Sequence, residues 1–396
     1  MPTPATASII SAAPDPITEV PFVLPPEPVT PDVTIAPALS PKRQRRKPVH
    51  PKKPVVTPAV TVVPASLPKR RRGKPVLPKK PARKRAVSAR RPPRAHKARG
   101  IKLKASASID DAMAIIFSAC RDHWKENIQA ARVAGHSDGL HQVRVGLRRF
   151  RTALILFRDY LPSSQREYFN REAKVLNETL GPARDLDVFT KDLGQLAGAP
   201  GEDSSVATVV RAAAKARTAT RRMAASMLRG ARYRRLMARL DSWIADRRWR
   251  IGSGKENGSA EQVSGFARKV LNKRISKIRK QSKKIAARHP DVLHELRIVI
   301  KKARYALEFF ATTLPAKRTS RTASQLKTLQ DSLGRLNDLV VAQRTMKALK
   351  ESAVPAKRKA IKKGNRELIS RLKSLAMPSL PKAVRAAARL RALQAL

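Results

Sequence analysis

"HQVRVGLRRFRTALILFRDYLP" (141–162) and "HELRIVIKKARYALEFFATTLP" (294–315) are two versions of one segment. Each opens on His, repeats basic residues at the same later positions and closes on Leu-Pro. The spacing is 153 residues, relating His141 to His294, Arg144 to Arg297, Arg148 to Lys301, Arg149 to Lys302, Arg151 to Arg304 and Pro162 to Pro315. Without a gap it also relates His136 to His289, Asp138 to Asp291, Gly181 to Gly334 and Asp185 to Asp338, so "LGPARDLDV" (180–188) answers "LGRLNDLVV" (333–341). Agreement held over about 50 positions implies internal duplication of a helical unit.

At 100° per residue, His141, Arg144, Arg148 and Arg151 fall within an arc of about 80°, while Val143, Phe150, Leu154, Phe157 and Leu161 gather on another face. The second copy sets His294, Arg297, Lys301 and Arg304 against Leu296, Ile300, Ala303, Leu307, Phe310 and Leu314. One face is core and the other a basic rail. A charged rail is also what any solvated helix presents, and a leading His is often a satisfied structural residue. Two features favour an anion site: acids able to pair at i,i+4 are nearly absent from both rails, and His heads the rail in each copy. Arg offers planar paired donors matched to phosphate oxygens, and a nearby phosphate favours charged His.

Composition agrees with an anionic partner. The 396 residues carry a formal net charge of +56, self-repulsion that a polyanion with condensed counterions relieves. Residues 1–40 hold no Lys or Arg, four acids and many prolines, and are expected to be disordered. Residues 41–104 hold 24 Lys plus Arg and no acid, with "PKRQRRKPVHPKKP" (41–54) recurring as "PKRRRGKPVLPKKP" (68–81). This reads as a disordered, extended polycationic arm. No apolar run reaches the roughly 18 residues of a spanning helix, and the start lacks the basic and apolar regions of a secretory signal, so a cytoplasmic location is expected. The single cysteine, Cys120, excludes an intrachain disulfide and reads as a packed helical residue, a reactive thiol being the alternative.

From 105 to 396 the chain reads as all-α. Helices are predicted near 106–134, 138–160, 164–180, 183–197, 204–249 (broken near Gly230), 259–287, 290–313, 318–334, 337–350, 356–374 and 379–395. The Gly/Ser-rich 251–262 separates halves of about 105–250 and 259–396.

Both motif sets, the His-led helices with "LGPARDLDVF" and "LQDSLGRLND", resemble the CHAD domain, the conserved-histidine α-helical domain, over roughly residues 105–396. The resemblance implies two pseudo-symmetric four-helix bundles whose His helices line a basic channel for inorganic polyphosphate, in proteins associated with polyphosphate granules. It implies binding roles for His141, Arg144, Arg148, Arg149, Arg151, His294, Arg297, Lys301, Lys302 and Arg304. Lys301 and Lys302 replace arginines of the first copy, which keeps charge and weakens paired contacts. The family often couples this domain to a CYTH triphosphatase domain marked by E-x-E-x-K; no such motif occurs here.

Asp185 and Asp187 form an Asp-x-Asp that could hold Mg²⁺. Only Asp185 is repeated, as Asp338, which favours a supporting role beside Arg184: orienting an arginine or capping a helix. His50, His96, His123, His136 and His289 lack metal-ligand spacing, so neither metal nor cofactor is expected. The stripe Lys269, Lys273, Lys277, Lys280 and Lys284 and the Arg-rich 211–250 either widen the anion surface or are solvated faces. With no phosphate-binding loop or nucleophile motif, the expectation is a non-enzymatic polyphosphate binder at granules. The alternatives are a nucleic-acid or nucleoid-binding polycation, engaging DNA or RNA through the arm, and a polyphosphate-processing enzyme; a storage-granule surface is a further expected partner. Few aromatics (4%) argue against base stacking.

Overall fold

Apolar residues recurring at helical spacing fold the C-terminal three-quarters of the chain into helices, with Pro and Ser marking many of the starts. The computed structural model describes residues 93–133, 137–198, 201, 203–251, 261–287 and 289–392. The expected tail (1–40), most of the expected arm (41–92), linker residues 252–260, His50 and His136 lie outside them. Twelve α-helices run in order: α1 Ile109–Glu126, α2 Ile128–Arg132, α3 Ser137–Leu156, α4 Ser163–Thr179, α5 Gly181–Leu196, α6 Ser205–Arg229, α7 Ala231–Ala245, α8 Val263–Ser282, α9 Pro290–Phe309, α10 Ala316–Glu351, α11 Pro355–Ala376 and α12 Ser379–Arg391. Ser108 and Ser204 cap α1 and α6 by accepting from the backbone N–H of Asp111 and Ala207. Pro290 and Pro355 sit in the first turns of α9 and α11, where a missing N–H is harmless. Gly230 separates α6 from α7 as expected.

Both ends of α3 precede the ends of α9 by 153 residues, and the 3₁₀ turns Arg158–Tyr160 and Ala311–Thr313 follow at the same spacing. The second copy departs most plainly where the first turns from α4 to α5. The break predicted between 334 and 337 is absent, and α10 runs unbroken from Ala316 to Glu351. In the first copy Pro182 follows Gly181, so a helix running through from α4 would lose a backbone hydrogen bond, and a new helix, α5, starts instead. The corresponding residue in α10 is Arg335, which continues the helix.

The main core joins both sides of the chain. Phe157 of the first His helix stacks on Phe266 of α8 with ring centroids 5.3 Å apart and meets Phe310 edge-on at 6.2 Å. Phe117, Phe150, Trp124, Trp243 and Trp249 extend the cluster through α1, α3 and α7. Each large side chain so buried contributes roughly 1.5–3 kcal/mol. The residues assigned to the two core faces (Val143, Phe150, Leu154, Phe157, Leu161; Leu296, Ile300, Ala303, Leu307, Phe310, Leu314) are all buried. A smaller core beneath α5, α6, α10 and α11 centres on Phe189, Val209, Met346 and Leu368.

Residues 93–104, expected as the end of the disordered arm, instead form a non-helical strap. Ile101 and Leu103 are buried in the main core. Leu103 N–H donates to Thr312 Oγ1 and its carbonyl accepts from the same hydroxyl, both at 2.9 Å, and His96 N–H donates to Asn127 Oδ1 at 2.8 Å. Two buried apolar side chains and satisfied backbone groups outweigh local charge composition there. Among the described residues no helix is long and apolar enough to cross a membrane.

Candidate anion-binding site

Where α3, α5, α9 and α10 meet beside the strap lies a cavity of about 820 Å³. From α3 come His141, Arg144 and Arg148; from α5, Arg184 and Asp185; from α9, Arg297, Lys301, Arg304 and Tyr305; from α10, Asn337 and Asp338; from the strap, Ala98, Arg99 and Gly100. The lining carries eight Arg or Lys side chains against three carboxylates, Asp185, Glu308 and Asp338. Glu308 is already committed: it accepts from Arg149 Nη1 at 2.5 Å and lies 3.6 Å from Arg304 Nη2.

Packing fixes several of these cations. The Arg144 guanidinium donates to the Asn177 carbonyl at the end of α4. A Cβ on Gly181 would lie 3.3 Å from Arg144 Nη1, so glycine at the α4–α5 corner makes room for that guanidinium. Arg148 Nε donates to Tyr305 Oη at 3.3 Å, a contact between the two His helices. Arg297 Nη2 stands 4.0 Å from Asp338 Oδ1. Even so, the buried Nε–H groups of Arg144 and Arg297 have no acceptor.

The electrostatic consequence is mutual strain among like charges. Burial first, then Arg297 and Arg148, push Lys301 down to about 7. Burial, then Arg148, bring Arg144 to about 10. His141 falls to about 4, through burial and then Arg184 and Arg148. Burial raises Asp185 and Asp338 above the usual carboxylate range despite their arginine neighbours. Crowding and burial thus disfavour charge on the cationic side of the pocket, most of all at Lys301 and His141, and an anion with many oxygens would relieve it.

Three of the ten residues expected to bind lie outside the lining, and a fourth, Arg149, reaches it but is held as a buried strut, paired with Glu308 and lying 5.1 Å from the Phe309 ring centroid. Arg151 donates from Nε to Asn170 Oδ1 of α4 at 2.9 Å, outside the lining. Lys302 lies beside Arg274, Arg151 and Lys277, whose charges together with burial lower its pKa. His294 is exposed, with Nδ1 3.2 Å from Asn337 Oδ1, and does not line the cavity as His141 does. The reason is angular: Lys302 is 100° around α9 from Lys301, and Arg151 sits at the end of the rail's arc, where α4 captures it. These residues make a second basic patch on another face.

The supporting trio all line the cavity: Arg184 and Asp185 enter it from the start of α5, and Asp338 from α10. Neither Asp185 nor Asp338 caps a helix: Leu180 precedes α5, and Asp338 lies inside α10. Asp187 is fully buried, its Oδ1 accepting from Arg217 and Arg221 Nε at 2.8 Å and its Oδ2 from Arg221 at 2.5 Å. This explains why the duplicate lacks it, since it anchors α6 and does not face the cavity. The sequence reading missed Arg99, Tyr305 and Glu308. For Tyr305 and Glu308 a signal existed, because they continue the rail of α9 one and two turns past Lys301.

Cys120 packs in the main core with its thiol pushed up to about 12 by burial, leaving packing as its role.

No curated protein matches the chain. The crystal structure of the CHAD domain from the plant Ricinus communis is similar with a TM-score of 0.63 at 29% identity, covering 76% of this chain and 98% of that one. PptA from Streptomyces chartreusis has the same fold at a TM-score of 0.50 and 15% identity, covering 71% of this chain and 99% of that one. The CHAD domain family model matches residues 115–347, a span holding both His-led helices and all of the cavity lining except the strap, and the chain therefore belongs to the CHAD domain family.

Proposed function

We propose that the protein binds inorganic polyphosphate in this cavity and acts by binding, without catalysis. The observation carrying the reading is the convergence of Arg144, Arg148, Arg184, Arg297 and Lys301 on one space, crowded enough to drive Lys301 to about 7. A chain of phosphates brings closely spaced charge and acceptors for the unpartnered Nε–H groups of Arg144 and Arg297. His141, neutral in the empty cavity, would gain a proton beside phosphate. The patch of Arg151, Lys302, Arg274 and Lys277 extends the basic surface, and the basic residues of 41–92 add capture at longer range. The setting that suits these properties is the cytoplasm, at polyphosphate granules.

Competition tests the reading: the full chain is titrated with labelled long-chain polyphosphate against duplex DNA and RNA at about 150 mM salt. A preference for polyphosphate of about a hundredfold is expected, abolished when Arg144, Arg148, Arg297 and Lys301 are changed together to Ala with helical circular dichroism retained. Equal affinities that ignore those four substitutions would replace the cavity by a general polycation and favour the nucleic-acid reading.

A further inference from the structure

On the opposite side of α10 from the cavity, half a turn round the helix from Val341, Lys350 borders a groove between α10 and α11 of about 490 Å³. That size is within the range of small-molecule sites. α11 is held firmly on its far side: a Cβ on Gly364 would clash with the Ser205 carbonyl oxygen, so α11 lies directly on α6. Asn365 spans the groove floor, its Nδ2 donating to the Met346 carbonyl at 3.0 Å.

Two chemistries meet there. Lys350, Lys362, Arg366 and Lys373 stand along the groove, and no carboxylate is among its lining residues. At its base, Asn365 is only 8% exposed, and its Oδ1 and the Oε1 of Gln343 are buried acceptors without a donor. Met346 and Ile369 provide an apolar wall. Fully ionised phosphate suits the cations but not the floor, where its oxygens would face two amide oxygens. A ligand must therefore bring N–H donors inward and negative charge outward.

We propose that this groove binds a nucleoside polyphosphate with an amino-bearing base. The exocyclic amine donates to Asn365 Oδ1 and Gln343 Oε1, while Asn365 Nδ2 stays on the Met346 carbonyl. The base lies against Met346 and Ile369, and the phosphates reach the surrounding cations as compact charges. The site shares no residue with the polyphosphate cavity and does not depend on that reading.

The test uses the full chain carrying the four cavity substitutions, titrated calorimetrically with adenosine 5′-triphosphate and separately with inorganic triphosphate. Adenosine triphosphate is expected to bind about tenfold more tightly than inorganic triphosphate. That advantage should disappear in Gln343→Leu, and Lys362→Ala with Arg366→Ala, both exposed positions, should weaken both ligands about tenfold. Equal binding of the two probes would overturn the proposal and reduce the groove to a cationic surface. So would nucleotide binding in the unmodified chain that vanishes with the cavity substitutions. Failure of the cavity reading itself would show separately, as long-chain polyphosphate binding that survives those substitutions.

Discussion

Lys301 shows how crowding in the cavity acts on a single group. Its folded value of about 7 lies below the ordinary 10.5, so between those values the unfolded chain binds more protons than the folded one. Ligand-free stability attributable to this group therefore rises with pH across that window and is lost as pH falls toward 7. A bound polyanion reverses the strain, so at about pH 8 polyphosphate binding should take up a proton. Calorimetry in buffers of different ionisation enthalpy should detect that uptake, and Lys301→Met should reduce it, leaving only the share taken up by His141. Asp187 illustrates a different use of charge: with its carboxylate fully buried between Arg217 and Arg221, Asp187→Ala should destabilise the fold by about 3–5 kcal/mol in urea unfolding, because Arg221 is left buried without a counter-charge. Sequence pattern set the two acids apart, since only Asp185 recurs as Asp338, and the structure places them in different surroundings. The pattern could not assign Asp187 to α6, because its partners lie 30 and 34 residues away.

Among the elements, the contrast between α5 and α10 tests how local chemistry sets helix ends. Pro182 sits in the first turn of α5, where helices tolerate it, whereas the matching Arg335 lies exposed in mid-helix. Arg335→Pro should therefore cost about 3 kcal/mol or more in urea unfolding, while Pro182→Ala should change stability little. The strap makes a similar point about context. Its composition belongs with the arm, yet Leu103 is buried and bonded to Thr312 at a separation of 209 residues. Leu103→Ala is expected to lower stability by about 2–5 kcal/mol and to loosen the cavity wall formed by Ala98–Gly100. A thermal melt and a polyphosphate titration of the same variant would check both effects.

For the whole molecule, a charge of +56 implies that affinity combines a shaped site with general attraction. Removing residues 1–92 should flatten the dependence of log K on log salt by about 0.7 for each phosphate that the arm had neutralised. It should leave the preference for polyphosphate over DNA in place, since that preference is assigned to the cavity; titrations across salt concentrations for both chains would measure it. What the sequence determined by itself was whatever rests on short-range periodicity and repetition. Helical class, the apolar faces of α3 and α9 and the 153-residue repeat were all legible in this way. What only the tertiary structure decided was which cations share a space. Residues 100° apart on one helix, such as Lys301 and Lys302, are neighbours in sequence but face different surroundings. His141 and His294 occupy equal positions in the repeat yet differ in burial, because the α4–α5 corner and the continuous α10 present different neighbours to each.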